Sequence, residues 1–470
     1  MRAWLFASVP LALALACGGS DAADPSPGGA DSGSGGQATS GGTPSGSSGA
    51  SSGAPVLPPP AAASVLVPLE LGHPSLDAAP FDQPRTLRVP PGFGIRVWAR
   101  VDNARFLLQL PDGSVLVSHP KNGSIDRIVA ATATAPPVVA TFVSGLDRPH
   151  DMSLVGIGGA QWIYVGEAGR IVRFAYSSGA TSAANPEILV DNLPDESNSE
   201  LGSAYGHPLK NLAIRGDKMY VAIASQSNAD ARERDLAQVS IMRAAVHEYP
   251  LEGGAGRLYG KGLRNAEGLA ISPEGDLWVA VNNRDNTPYP YDDGRYVRGA
   301  VVPEFVDDYP PEPFAKVTDG SDHGWPFCNP NPFTPSGRTN MPYDNDYDNN
   351  PDGAAFDCAA LAPMAKGFEA HAAPLGFSFW SNGPGSYRNG AVAGLHGCWN
   401  CTKPRGYSVA MFPWTAAGPG DEIVLVDGFL ADPLSTQSRW GRPVDAIPYG
   451  TDSLLISDDF SNSIYELYVK

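Results

Sequence analysis

A short turn followed by a run of apolar, β-branched or aromatic residues recurs along the chain. It appears at Pro111-Asp112-Gly113-Ser114-Val115-Leu116-Val117, at Gly158-Gly159-Ala160-Gln161-Trp162-Ile163-Tyr164-Val165 and at Arg215-Gly216-Asp217-Lys218-Met219-Tyr220-Val221. It returns at Pro273-Glu274-Gly275-Asp276-Leu277-Trp278-Val279, more loosely at Arg388-Asn389-Gly390-Ala391-Val392-Ala393, and last at Tyr449-Gly450-Thr451-Asp452-Ser453-Leu454-Leu455-Ile456. Gly and Asp accept the dihedrals of a tight turn, and the residues that follow suit a pleated strand. A second strand often comes next, as at Gly169-Arg170-Ile171-Val172-Arg173-Phe174. Six units over the body of the chain leave about 65 residues for each, the size of a four-stranded blade with long loops. The pattern predicts an all-β, six-bladed β-propeller. A strand at 94–101 is expected to pair with the C-terminal strands and close the ring, which leaves no open sheet edge. The stretch 283–386, rich in Pro, Asp and Asn, reads as long loops over one face.

Composition agrees with a turn-rich β-protein. With 53 Gly and 45 Pro among 470 residues, a helical bundle is excluded. Asp and Glu outnumber Lys and Arg by 50 to 32, a net charge of -18, so the chain has no basic footprint for nucleic acid.

Residues 1–16 read as an export signal, with Arg2 before an apolar run too short to span a bilayer. The stretch Leu13-Ala14-Leu15-Ala16-Cys17 resembles a bacterial lipobox, which makes Cys17 the lipidated first residue of the mature protein. Residues 17–60 then form a tether: 18–60 holds 12 Gly, 10 Ser and 7 Pro and no aromatic residue, so it cannot bury enough apolar surface to order itself. The expected arrangement is an exported lipoprotein, anchored to the outer membrane by its lipid alone and facing the periplasm or the cell surface. Its folded body is 61–470. Four body cysteines, Cys328, Cys358, Cys398 and Cys401, favour disulfides in an exported chain. Cys328–Cys358 with Cys398–Cys401 is the simplest of three pairings; a redox role for the Cys398–Cys401 pair and zinc ligation by all four cysteines are the weaker alternatives.

In a propeller, functional residues come from loops far apart in sequence. His207 suits general-base chemistry, with a hydrogen-bonding loop histidine as the plain alternative. Arg264 can grip a carboxylate, or merely form a loop ion pair. The stretch Tyr343-Asp344-Asn345-Asp346-Tyr347-Asp348-Asn349-Asn350 lacks the spacing of an EF-hand and reads as a solvated loop.

Seven motifs in order then become recognisable: Pro90-Pro91-Gly92-Phe93, Gly262-Leu263-Arg264-Asn265, His323-Gly324-Trp325-Pro326-Phe327-Cys328, Ala370-His371-Ala372-Ala373-Pro374-Leu375-Gly376, His396-Gly397 with Trp399-Asn400, Gly441-Arg442-Pro443 and Ser457-Asp458-Asp459. Over residues 87–469 the chain resembles the soluble PQQ-dependent glucose/sorbosone dehydrogenases, six-bladed propellers that use pyrroloquinoline quinone (PQQ) and calcium. The resemblance implies that His207 takes a substrate hydroxyl proton and that Arg264 and Asn265 contact the cofactor. His371, Arg442 and His150 would line the cofactor wall, and Asn283 and Arg284 would bind calcium through their main-chain carbonyls. Two departures stand out. Ser225 occupies the place where glucose dehydrogenases orient the base with Asp, and Cys401 replaces a family Arg, with Lys403 as a substitute for its charge. The implied activity is oxidation of a sugar-like hydroxyl or hydrated aldehyde, with electrons passed to an external acceptor. A calcium-dependent lactonase and a cofactor-free binding propeller remain the alternatives.

Overall fold

The structure is a computed structural model that describes residues 62–197, 200–202 and 204–470. The expected signal peptide, Cys17 and the tether therefore lie outside the described residues. No helix among the described residues is long and apolar enough to cross a membrane.

Six antiparallel four-stranded meanders form the ring. Their innermost strands are Leu107–Gln109, Met152–Ile157, Asn211–Arg215, Asn265–Ile271, Pro374–Phe379 and Pro443–Tyr449. Each touches the next in this order, and the last touches the first. The recurrent turn of the sequence is the hairpin between the innermost and second strand of each blade. In the first blade it joins Leu107–Gln109 to Val115–His119, and in the sixth it joins Pro443–Tyr449 to Ser453–Asp458. The innermost strands themselves carry no equivalent signal, because both of their faces meet other blades and their polar and apolar positions do not alternate.

Closure follows the expected route. Phe93–Arg100 pairs antiparallel with Ser463–Val469 as the outer strand of the sixth blade. Ile95 opposite Leu467 and Val97 opposite Tyr465 are fully buried. Aromatic side chains fill the wedges between blades, as where Phe314 stacks on Phe412 at 4.5 Å.

The stretch 283–386 corrects the loop expectation. It supplies the third and fourth strands of the fourth blade, Glu312–Val317 and Met364–Phe368, and the innermost strand of the fifth. Pro313, Gly367 and Pro374 interrupt the apolar pattern there, which hid strands that tertiary pairing nevertheless forms. The loop 342–350 is not simply solvated either. Asp346 is fully buried, pairs with Arg284 and accepts a hydrogen bond from Asn329 at 2.9 Å. The structure contains both disulfides, Cys328–Cys358 and Cys398–Cys401.

Closure can be tested at one buried side chain. Ile95→Ala leaves a cavity in the closing strand and should cost about 2–5 kcal/mol. The expected readout is a lower urea midpoint with an unchanged slope.

Candidate functional site

In an antiparallel hairpin the start of the first strand lies beside the end of the second, as Asn265 opposes Asn282. Two kinds of position from every blade therefore meet at one mouth of the ring. The loops leading into the innermost strands carry Arg105, His150, His207, Arg264, His371 and Arg442. The ends of the second strands carry His119, Glu167, Ser225, Asp285, His396 and Asp459. All six lead-in residues are basic or imidazole, so this acidic chain concentrates positive charge where its loops converge.

Asp285 is the hub of the third-to-fifth blade side. Its carboxylate lies 3.2 Å from Arg264 Nη2 and 3.6 Å from His371 Nδ1, and its main-chain N–H donates to Asn228 at 2.8 Å. Burial works to raise this carboxyl, but His371, Arg264 and His207 outweigh it and hold it low. His371 is nearly buried and adopts a left-handed backbone (φ 60°), a conformation non-glycine residues hold only under tertiary constraint. Its Nε2 lies 3.3 Å from the Tyr309 carbonyl, so both ring nitrogens face acceptors. Burial opposes its charge, yet Asp285 and Glu312 hold His371 above its ordinary value.

His207 has the opposite electrostatics. Nδ1 lies 2.7 Å from the Ser225 main-chain carbonyl and 3.2 Å from the Ser225 hydroxyl, which itself donates to the Ser227 carbonyl. A carbonyl only accepts, so Nδ1 carries the hydrogen and the lone pair sits on Nε2. Nε2 has no hydrogen-bond partner among the described residues. Burial first, and the Arg264 charge second, pull His207 down to about 3, against weaker support from Ser225 and Asp285. At neutral pH the cluster thus holds one neutral imidazole with an open lone pair beside one imidazole biased toward its cation, the arrangement that separates base from acid.

The adjoining turn suits a cation. Asn283 and Arg284 are buried, and neither of their carbonyl oxygens accepts a hydrogen bond from the described residues. Their own donors are held from behind: Glu312 accepts from the Asn283 N–H, and the Arg284 side chain turns away to Asp346 and Asp348. No cluster of three His, Cys, Asp or Glu side chains among the described residues forms a ready metal site, so any cation here would depend on main-chain oxygens.

On the fifth-to-first blade side, Arg442 donates to the carbonyls of His396 and Gly397 at 2.8 and 3.1 Å. His396 pairs with Asp459 at 2.8 Å, and Asp459 pairs with Arg105 at 2.9 Å. His150 lies deeper, fully buried against Phe106 at 4.2 Å and 3.8 Å from Glu267. Asn265 is nearly buried and donates to Glu267 at 3.3 Å. Lys403 stands exposed two residues beyond the Cys398–Cys401 disulfide and its side chain pairs with none of the described residues, while neighbouring Arg405 is taken by Asp308 at 2.6 Å. A cavity of about 520 Å³ along the innermost strands is lined by Asp151, Leu212, Ile271, Phe379, Asp445 and Ile447 among others, and neither His207 nor Arg264 lines it.

The structure therefore brings His207, Arg264 and His371 together, places Asn283 and Arg284 beside them, and leaves Lys403 apart. Sequence reasoning missed Asp285, Arg105 and Glu312. The first two occupy the same lead-in and strand-end positions as the residues it found, so blade periodicity was the available signal. Glu312 had none, because its strand was read as loop.

Fold and mouth together define a class: six-bladed β-propellers with basic and imidazole side chains converging on one opening. Residues 87–429 match the family described as TrAA12-like, and the chain belongs to that family. An uncharacterized protein of Borreliella burgdorferi is 25% identical over 402 residues, covering 82% of this chain and 91% of that protein. Among solved structures, the iodide structure of Trichoderma reesei carbohydrate-active enzymes family AA12 superposes with a TM-score of 0.66 at 19% identity, covering 82% of this chain and 98% of that one. The holo form of the PQQ domain of pyranose dehydrogenase from Coprinopsis cinerea gives 0.64 at 19% identity, with 81% and 96% covered. The apo-form of soluble aldose sugar dehydrogenase from Escherichia coli gives 0.52 at 13%, with 80% and 100% covered. These likenesses show the propeller fold.

Histidine ¹⁵N NMR checks the two protonation states. With its resonances assigned by loss in His207→Gln, His207 should remain neutral and Nδ1-protonated at pH 5. Arg264→Met should raise its titration point, because a neighbouring cation is removed. Asp285→Asn should lower that of His371, because the partner favouring its cation is gone.

Proposed function

We propose that the chain is a PQQ- and calcium-dependent oxidoreductase that oxidises the hydroxyl or hydrated aldehyde of a sugar-like substrate. The observation that carries this reading is the open Nε2 of a neutral His207 beside the Arg264–Asp285–His371 ion cluster. The names of structural neighbours support it, including the PQQ domain of pyranose dehydrogenase and a calcium structure of Trichoderma reesei family AA12.

The donor set fits the cofactor. PQQ carries three carboxylates, and Arg264, Arg442 and a charged His371 offer cationic N–H groups at one mouth. The unpartnered carbonyls of Asn283 and Arg284 would take calcium, an oxygen-seeking ion. When bound, PQQ supplies hydride acceptance and calcium polarises its quinone. His207 receives the substrate hydroxyl proton at Nε2, and the Ser225 carbonyl keeps Nδ1–H in place as the ring becomes charged. Asp285 adds a weaker electrostatic support for that charge. Arg264 keeps the resting imidazole neutral. Ser225 and Cys401 therefore change the surroundings of the site more than its working parts. Lys403 would serve the cofactor only if its turn carried it inward.

The leader-like residues 1–16 and Cys17 support an exported, lipid-anchored protein whose electrons leave to an external acceptor. The lactonase alternative draws less support, since Asp285 and Asp459 at the mouth are committed to ion pairs.

Purified full-length protein titrated with PQQ and calcium should reduce dye with aldoses. His207→Ala should cut turnover by about 10²–10⁴ while PQQ uptake, followed by absorbance, stays stoichiometric. Lactone hydrolysis without dye reduction, or no cofactor uptake, would overturn the reading.

A further inference from the structure

Another imidazole on the same face takes no part in the chemistry above. His396 follows the second strand of the fifth blade, Ala391–Leu395, and Asp459 follows that of the sixth, Ser453–Asp458. His396 Nε2 lies 2.8 Å from Asp459 Oδ1, and Arg105 donates to Asp459 Oδ2 at 2.9 Å. Because the carboxylate only accepts, Nε2 carries the ring hydrogen and a neutral ring keeps its lone pair on Nδ1. The ring is neutral: burial, helped by Arg442 and Arg105, outweighs Asp459 and brings His396 down to about 4.

Its frame is fixed on three sides. Arg442 binds the carbonyls of His396 and Gly397, and the His396 N–H donates to the Ala373 carbonyl at 2.9 Å, two residues from His371. Nδ1 has no partner among the described residues, and the side chain retains 15% exposure. A positioned acceptor is thus held open beside the site.

We propose that His396 is a specificity-determining residue that reads one hydroxyl of the substrate, which donates its hydrogen to Nδ1 while Asp459 and Arg105 hold the ring. The substrate class rests on the oxidoreductase reading. A carboxylate is the wrong partner here, since it has no hydrogen to donate and would lie beside an ionised Asp459. Burial opposes that ionisation, but His396 and Arg105 hold Asp459 well below its ordinary value. Anionic groups belong instead with Arg264 and His371.

Two isosteric variants separate the ring nitrogens. In His396→Gln the amide N–H₂ takes the place of Nε2 and keeps Asp459, but the Nδ1 acceptor is lost. In His396→Asn the carbonyl oxygen takes the place of Nδ1. Protein loaded with PQQ and calcium is assayed with an aldose and its monodeoxy analogues. The wild type should discriminate against one analogue by about 10-fold or more in KM, as expected where a site hydrogen-bonds that hydroxyl. His396→Gln should lose this discrimination with kcat nearly unchanged, and His396→Asn should keep it. Equal discrimination in the wild type and His396→Gln overturns the proposal. Saturation-transfer NMR of the same sugars on the full chain needs no turnover. There the sugar signal should weaken in His396→Gln and persist in His396→Asn, and an unchanged signal in His396→Gln overturns the proposal even if no sugar is oxidised. A wild type that binds sugars in this pattern without reducing dye instead overturns the oxidoreductase reading alone.

Discussion

The pairing of Phe93–Arg100 with Ser463–Val469 is the constraint on which everything else depends. It joins segments more than 350 residues apart into one sheet and turns a row of meanders into a ring. Closure costs chain entropy, and buried pairs such as Ile95 with Leu467 offset it. Its consequence for the site is direct. The Leu107 N–H donates to Asp445 at 2.9 Å across the seam between the sixth and first blades, and Arg105 reaches Asp459 across the same seam. An open array would have no mouth on which opposite ends of the chain converge.

That mouth works by local charge, against the balance of the whole protein. A chain with net charge -18 places Arg105, Arg264 and Arg442 with five histidines, His119, His150, His207, His371 and His396, around one opening, and sets Asp285 and Asp459 among them. Low exposure makes each pairing decisive, because solvent screens it weakly. His207 and His371 share a residue type and a site, yet their partners drive them apart. Burial and a nearby guanidinium keep one neutral, while Asp285 and Glu312 favour charge on the other.

Behind the mouth lies a rigid backing. Asp346 and Asp348 take the Arg284 side chain, Glu312 takes the Asn283 N–H, and the Cys328–Cys358 disulfide closes the segment that carries Asp346. Two adjacent carbonyls thereby accept no hydrogen bond from the described residues. The Asp-rich loop thus anchors the Asn283-Arg284 turn from behind.

How much of this was legible beforehand follows from which forces are local. Turn dihedrals and apolar runs are properties of neighbouring residues, so the six hairpins, the closing strand and the all-β class could be read directly. His207, Arg264, His371 and Arg442 stood at equivalent points of that repeat, in motifs shared with a known family. The strands at Glu312–Val317 and Met364–Phe368 were hidden, because Pro313 and Gly367 break the local pattern and only pairing across the sheet overrides it. The protonation states of the histidines, the bridging role of Asp285 and the burial of Asp346 were likewise settled by tertiary structure. Each depends on partners brought from other blades, and no spacing along one strand of sequence encodes a distance across a ring.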